Sequence, residues 1–148
     1  MQDDAPPPSD VPAPGSTPAP GERDSAYELL QRGRALMHAR HNAQAALVLE
    51  RAARLEPGRG SILEALGRAC FNAGQHDRAL EVFEALLDVD PSSHYGHFGV
   101  AQSLRKVGRV PEAVTHLRLA CALEPGSALY RGALARATST LPGPAAGA

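Results

Sequence analysis

Six histidines and two cysteines are the residues of this chain with the chemistry to bind a metal or attack a substrate, and their spacing argues against both. His94 and His97 stand one helical turn apart, a spacing that lets both face the same way. Zinc takes three or four protein ligands, and no third His, Cys or carboxylate is spaced to complete a set, so no metal is expected. His76 and His116 fall at ordinary packing and surface positions. Cys70 and Cys121 lie far apart, outside any Cys-x-x-Cys spacing. They require no disulfide and point to a reducing compartment. Both occupy helix core positions, where a thiol without a neighbouring cation is an inert small hydrophobe. His76 follows Cys70 closely but on the next helix, and no Asp or Asn completes the relay that a nucleophile needs. Neither a Gly-rich phosphate loop nor a paired-carboxylate motif is present. The expectation is a protein with no catalytic activity and no cofactor.

Recognition chemistry is better supplied. Arg34 and Arg68 are 34 residues apart, and Gln102 and Arg136 continue the ladder at the same interval. Around it fall Tyr27, His38, Phe71, Asn72, Tyr95, Phe98, Arg105 and Lys106. Guanidinium forks with interleaved aromatic rings suit an extended, acidic peptide, through charge pairing and apolar anchors. The plainer reading is a solvated face. Glu64 precedes Arg68 by four residues, the spacing of an ordinary intrahelical ion pair, and single exposed charges carry little energy. A row of exposed aromatics is less ordinary.

These side chains need a scaffold, and composition says which kind. The chain has 148 residues, 43% hydrophobic and 21% charged, with 4% aromatics and no Trp. Its core must therefore be mostly Ala, Leu and Val, which favours closely packed helices. The net charge of −1 gives no overall pull toward nucleic acid or membrane. The charge is unevenly placed. Residues 1–24 carry Asp3, Asp4, Asp10, Glu22 and Asp24 against Arg23 alone, a net of −4; the remainder has 14 basic and 11 acidic residues, a net of +3. With seven prolines and almost no large apolar residue, residues 1–24 are expected to be a disordered tail, as are residues 141–148. Neither a secretory signal nor a membrane-spanning stretch is legible, so a cytoplasmic protein is expected. Arg outnumbers Lys 14 to 1, and this bias points to a GC-rich, bacterial genome.

Between the tails the chain repeats. Pro57, Pro91 and Pro125 follow Leu-Glu, Val-Asp and Leu-Glu, and are separated by 34 residues. The units begin at Ala26, Gly60 and His94, with a partial fourth at Ala128. Small residues recur at the eighth position (Gly33, Gly67, Ala101, Ala135) and the twentieth (Ala45, Ala79, Ala113), where two helices cross closely. Leu29, Leu36, Leu49 and Leu55, then Leu63, Leu66, Phe83 and Val89, then Val100, Leu104, Leu117 and Leu123 fill the flanking layer. Ser25 with Glu28, and Ser61 with Glu64, have the capping-box spacing. Gly74 and Gly108 mark turns, and Pro111 falls in a first helical turn. Helices are predicted over 26–39, 43–55, 60–73, 77–89, 94–107, 111–123 and 127–139. The fold class is all-α, a right-handed α-solenoid of antiparallel helix pairs with about seven helices. Residues 25–140 form the domain, with repeats 26–59, 60–93 and 94–127 and a capping helix 127–139. Tyr130, Leu134 and Ala137 of the cap face inward.

On these residues the chain resembles the tetratricopeptide repeat family over 26–140. Leu66-Gly67, Ala79, Phe83 and Pro91 follow the family pattern closely. Leu36, Cys70 and Leu104 stand where it favours Tyr, Leu86 where it favours Ala, and His97 at a usually apolar site. The resemblance implies a binding scaffold whose first helices line a concave groove. The stripe on that face reads Tyr27, Leu30, Arg34, Met37 and His38, then Ser61, Glu64, Arg68, Phe71 and Asn72, then Tyr95, Phe98, Gln102, Arg105 and Lys106. Some family members clamp the carboxyl-terminal tail of heat-shock chaperones. The matching positions here are Leu30, Arg34, Ala65, Tyr95 and Gly99, of which only Arg34 could serve, so that role is not expected. The expected function is protein or peptide binding as a scaffold or adaptor, favouring acidic extended segments, with the chain's own tail as a competitor. A dedicated client-binding chaperone or assembly factor is the alternative. RNA binding ranks lower, because backbone recognition needs many cations and the chain has one Lys. The expected partner is another protein or peptide, with no nucleic acid and no membrane, and the chain itself a monomer or weak homo-oligomer.

Overall fold

The computed structural model describes residues 24–143. They form seven helices: α1 Ala26–His38, α2 Asn42–Leu55, α3 Gly60–Asn72, α4 His76–Val89, α5 His94–Lys106, α6 Val110–Leu123 and α7 Ala128–Ser139. Each bound lies within one residue of its sequence expectation. The expectations for residues 1–23 and 144–148 lie outside the described residues.

Local chemistry explains where the helices start and stop. Residues 25, 59, 93 and 127 occupy the same place before a first helix. Ser25 caps α1 in a full capping box with Glu28, and Ser93 and Ser127 cap the Gly96 and Tyr130 amides. The Ser61–Glu64 box predicted for α3 does not form. The helix begins one residue before Ser61, and Arg59 at the cap position offers no side-chain bond. Gly74 and Gly108 adopt φ of +82° and +87° in the turns after α3 and α5. The corresponding residue after α1 is Arg40, which takes φ of 64° without a glycine's freedom. Pro111 lies in the first turn of α6, where its missing N–H leaves no bond unmade.

Every helix packs on the next in sequence, and α1 also packs on α3 and α3 on α5. The second helices α2, α4 and α6 have no comparable contact with one another. The first helices therefore stand closer together and line the inside of the curve. Leu29, Leu49, Ile62, Leu66, Cys70, Val100 and Leu117 are fully buried in one continuous core. Ala45, Ala79 and Ala113 are completely covered, as their shared position requires. A Cβ on Gly33 would come within 2.5 Å of Leu49, and one on Gly67 within 2.6 Å of the Phe83 ring. Gly99, which the eighth-position pattern does not single out, is equally tight, at 2.5 Å from the same ring. Phe83 is thus gripped by α3 and α5 together.

Four residues expected in the core layers are exposed instead. Leu55, Val89 and Leu123 are 57%, 49% and 42% exposed. Each is the last residue of a second helix, beyond the final packed turn and beside the proline turn. Ala135 is also exposed, because α7 buries only one face, through Tyr130, Ala133 and Ala137. The helix that an eighth-position residue normally crosses is absent beside α7 among the described residues. Leu134 is partly buried against the core.

Candidate functional site

The inner face carries three clefts in series. The middle one, about 240 Å³, is lined by Arg68, Phe71 and Asn72 of α3, Phe83 of α4, and Tyr95, Phe98, Gly99 and Gln102 of α5. The second, about 460 Å³, lies between Arg34, Met37, His38 and Arg40 on one side and Arg68 and Asn72 on the other. The third, about 450 Å³, is bordered by Phe71, Gln102, Arg105, Lys106, Val110 and Thr140. Arg68 and Asn72 belong to the first two, and Phe71 and Gln102 to the first and third, so the clefts form one groove.

Helical geometry puts these groups in line. Residues at the ninth, twelfth and thirteenth places of each first helix fall on the stripe opposite the second helices. Ten of the eleven residues expected on the groove line it: Arg34, His38, Arg68, Phe71, Asn72, Tyr95, Phe98, Gln102, Arg105 and Lys106. Tyr27 does not; it is 64% exposed and borders none of the three clefts. Leu30, also on the predicted stripe, turns into the core instead. Ser61 and Glu64 stand outside the cleft linings. Arg40 joins the groove although it lies past the end of α1. Its place, 34 residues before Gly74, was the signal available in the sequence.

The middle cleft is aromatic. Tyr95 packs between Phe83 and Phe98, with ring centroids 6.0 and 6.1 Å apart, and Phe98 continues to Tyr130 at 5.0 Å. The Arg68 guanidinium sits over Tyr95, 6.0 Å from its centroid. The four-residue ion pair with Glu64 does not form; Arg68 prefers the ring across the groove. Burial, the larger effect, pushes the Tyr95 phenol up to about 12 against the pull of Arg68, so it stays a neutral hydrogen-bonding group. Arg105 donates to Gln102 Oε1 at 3.2 Å. The groove lining holds Arg34, Arg40, Arg68, Arg105 and Lys106 and no carboxylate.

The other reactive side chains lie elsewhere. Cys70 is buried, and desolvation raises its thiol to about 11, although Arg78 pulls the other way. The expectation of no nearby cation is therefore corrected, but Glu50 and Glu81 hold that guanidinium and burial prevails. Cys121 is only partly buried. His94 and His97 do not converge. His94 meets the Tyr130 hydroxyl at 2.7 Å and faces Glu124 at 3.8 Å. His97 instead meets His116 across the α5–α6 contact, with Nδ1 atoms 3.1 Å apart. That pairing of His116 was missed, since 19 residues separate the two and only the helix hairpin joins them. No group of three or more His, Cys, Asp and Glu is placed to hold a metal ion among the described residues. No described helix is long and apolar enough to cross a membrane.

Comparison with known proteins agrees with the geometry. The family model for the tetratricopeptide repeat matches residues 30–94 and, overlapping them, 71–128. Superkiller complex protein 3 of Mus musculus is 32% identical over 90 residues, which are 61% of this chain; the match spans 6% of that protein's length. Among solved structures, the first TPR of Spaghetti bound to the HSP90 peptide SRMEEVD superposes with a TM-score of 0.75 at 13% identity, covering 78% of this chain and 91% of that one. The Yersinia enterocolitica type III secretion chaperone SycD, in complex with a peptide of the translocator YopD, gives 0.66 at 20% identity, covering 76% and 86%. YrrB, described as a TPR protein with an unusual peptide-binding site, gives 0.72 at 20% identity, covering 76% and 58%. At such identities the structural likeness establishes the fold.

Proposed function

Because the chain belongs to the tetratricopeptide repeat family, we propose that it is a protein-binding scaffold whose concave groove holds an extended, acidic segment of a partner. The observation that carries this reading is the lining itself. Five cations and no carboxylate border three joined clefts, and the aromatic cleft lies between the two cationic ones. A peptide crossing it would meet Arg34, Arg40 and Arg68 at one end and Arg105 and Lys106 at the other. One apolar side chain would enter between Phe71, Tyr95 and Phe98. Charge pairing supplies orientation and encounter rate, and the buried apolar anchor supplies most of the affinity. Asn72 and Gln102 can bond the peptide backbone, which lets the groove read an extended strand.

Three neighbours, Spaghetti, SycD and YrrB, carry peptides or a peptide-binding site by their descriptions, which supports the same use of this face. The chaperone-tail positions argue for a different ligand. Leu30 and Ala65 are buried, and Gly99 is pressed against Phe83. Titration calorimetry with two synthetic peptides tests the proposal. One has a central Leu flanked by Asp and Glu on both sides; the other has the same Leu flanked by Lys. The acidic peptide should bind and the basic one should not. Equal binding of both, or of neither, refutes acidic recognition by the groove.

A further inference from the structure

We propose that His97 and His116 form a proton-sensitive latch between α5 and α6, one that stays closed while the pair carries one extra proton or none and opens when it carries two. The hydrogen-bond chain dictates this. His97 is 8% exposed, and its Nε2 lies 2.9 Å from the Pro91 carbonyl in the turn leading into α5. A carbonyl only accepts, so Nε2 carries a hydrogen. Neutral His97 then presents Nδ1 as a lone pair, and His116 Nδ1, 3.1 Å away, donates to it. The two rings meet edge to edge, with centroids 5.3 Å apart and planes 30° from parallel.

A first proton can be held without breaking the pair. It goes to Nε2 of His116 and leaves the Nδ1–H···Nδ1 bond intact and charge-assisted. A second proton has only His97 Nδ1 to occupy. It sets N–H against N–H and places two imidazolium rings edge to edge in a partly buried contact. The bond and the Pro91 tether that orients His97 then lose their common geometry.

The neighbouring charges do not relieve the pair. Glu112, one turn before His116 on α6, is the carboxylate whose field reaches it, and Arg109 already holds Glu112 through bonds of 2.8 and 2.6 Å. Asp90, before the Pro91 turn, gives its carboxylate to the Ser92 amide and hydroxyl. His94 on α5 turns to Tyr130 of α7 and to Glu124. Desolvation first, and then the field of His97 once that ring is charged, holds His116 below the ordinary value of 6.5, so the fold resists a charge on both rings. The sign follows. The unfolded chain takes up protons at pH values where this site still resists them. The stability held here is full above pH 6.5, and it falls as the pH drops through the lowered folded value.

Opening has a defined reach. α5 supplies Tyr95, Phe98, Gln102, Arg105 and Lys106 to the groove. The latch therefore governs the half of the groove built on the third helix pair, whereas α1–α4 keep their own contacts. It rests on the geometry of the pair, whatever ligand the groove takes.

The test is an NMR titration of the full chain from pH 8 to 4.5, combined with amide exchange. Imidazole nitrogen shifts at pH 8 should report His97 as the Nε2–H tautomer and His116 as Nδ1–H. Corrected exchange rates in residues 94–123 should rise by about tenfold or more between pH 7.5 and 5, while α1–α4 hold. His97→Leu, apolar at a buried place, should abolish that rise, and the control His94→Gln should keep it. The opposite tautomers, two independent titrations near 6.5 with unchanged exchange, or a full acid response in His97→Leu would each overturn the latch. The tautomer measurement uses the unaltered protein, so it decides even where a variant folds poorly.

Discussion

Phe83 lies flat against the bare backbone of Gly99, so closely that a single methyl there would stand 2.5 Å from the ring. The same ring packs as closely on Gly67 and lines the aromatic cleft. One side chain therefore joins the core to the groove. Gly67→Leu should cost roughly 1–3 kcal/mol or more through overpacking. Gly99→Ala should be destabilising as well, and it should also weaken the acidic peptide by displacing Tyr95. Chemical denaturation followed by circular dichroism checks the first effect, and calorimetry the second. A Gly67→Leu protein of native stability would contradict the helix crossing described above.

Arg40 holds a left-handed backbone that its counterparts Gly74 and Gly108 adopt without strain. Arg40→Gly should stabilise the fold by about 1 kcal/mol, the penalty an L side chain carries in that region. It should also remove one cation from the groove, so affinity for an acidic peptide drops while Tm rises. A fall in Tm would show that the Arg40 side chain has a structural partner worth more than the backbone strain.

Replacing Arg34 and Arg68 together by Ala should weaken the acidic peptide and leave helical content unchanged. Residues 1–24 carry the opposite charge to the groove and are covalently tethered to α1, which raises their local concentration there. Removing them should tighten the peptide at low salt and make little difference at high salt, because the competing contacts are screened. Unchanged affinity in the arginine double variant would reduce the ladder to a solvated face.

Burial raises the Cys70 thiol from 9.0 to about 11. At pH 8 roughly one molecule in a thousand then carries the thiolate. Iodoacetamide should label the partly exposed Cys121 of the native protein first and reach Cys70 only after unfolding. Cys70→Ser should leave peptide binding intact. Early labelling of Cys70 would place it in a looser core than described.

Much of the fold was legible because the sequence states its period repeatedly. Prolines, small crossing residues and helix-spaced leucines all return at 34, and each agrees with the others. The groove residues could be read by the same means, since a fixed place in a first helix has a fixed direction. What escaped depended on contacts between different places in the period. Arg68 chooses Tyr95 on the next first helix over Glu64 on its own, and no spacing rule within one helix forecasts that. His97 with His116, and Gly99 with Phe83, are equally contacts between places of different rank. Tyr27 stands at the same place in α1 as Tyr95 in α5, but among the described residues no helix pair precedes α1 to close a cleft against it. The serines at 93 and 127 were in plain view, but the cap was sought two places later, at Ser61.

The contact pattern also governs how the chain finds its shape. No helix touches one more than two along from it in an extensive contact. Search therefore requires only short loops to close, which predicts fast folding for the size of the protein. Any hairpin can serve as the seed, with the rest added pair by pair, as in a one-dimensional chain of coupled elements. α3 begins without a side-chain cap, unlike α1, α5 and α7. The seam between the first and second helix pairs should then part more readily than the seam between the second and third, where Ser93 caps α5.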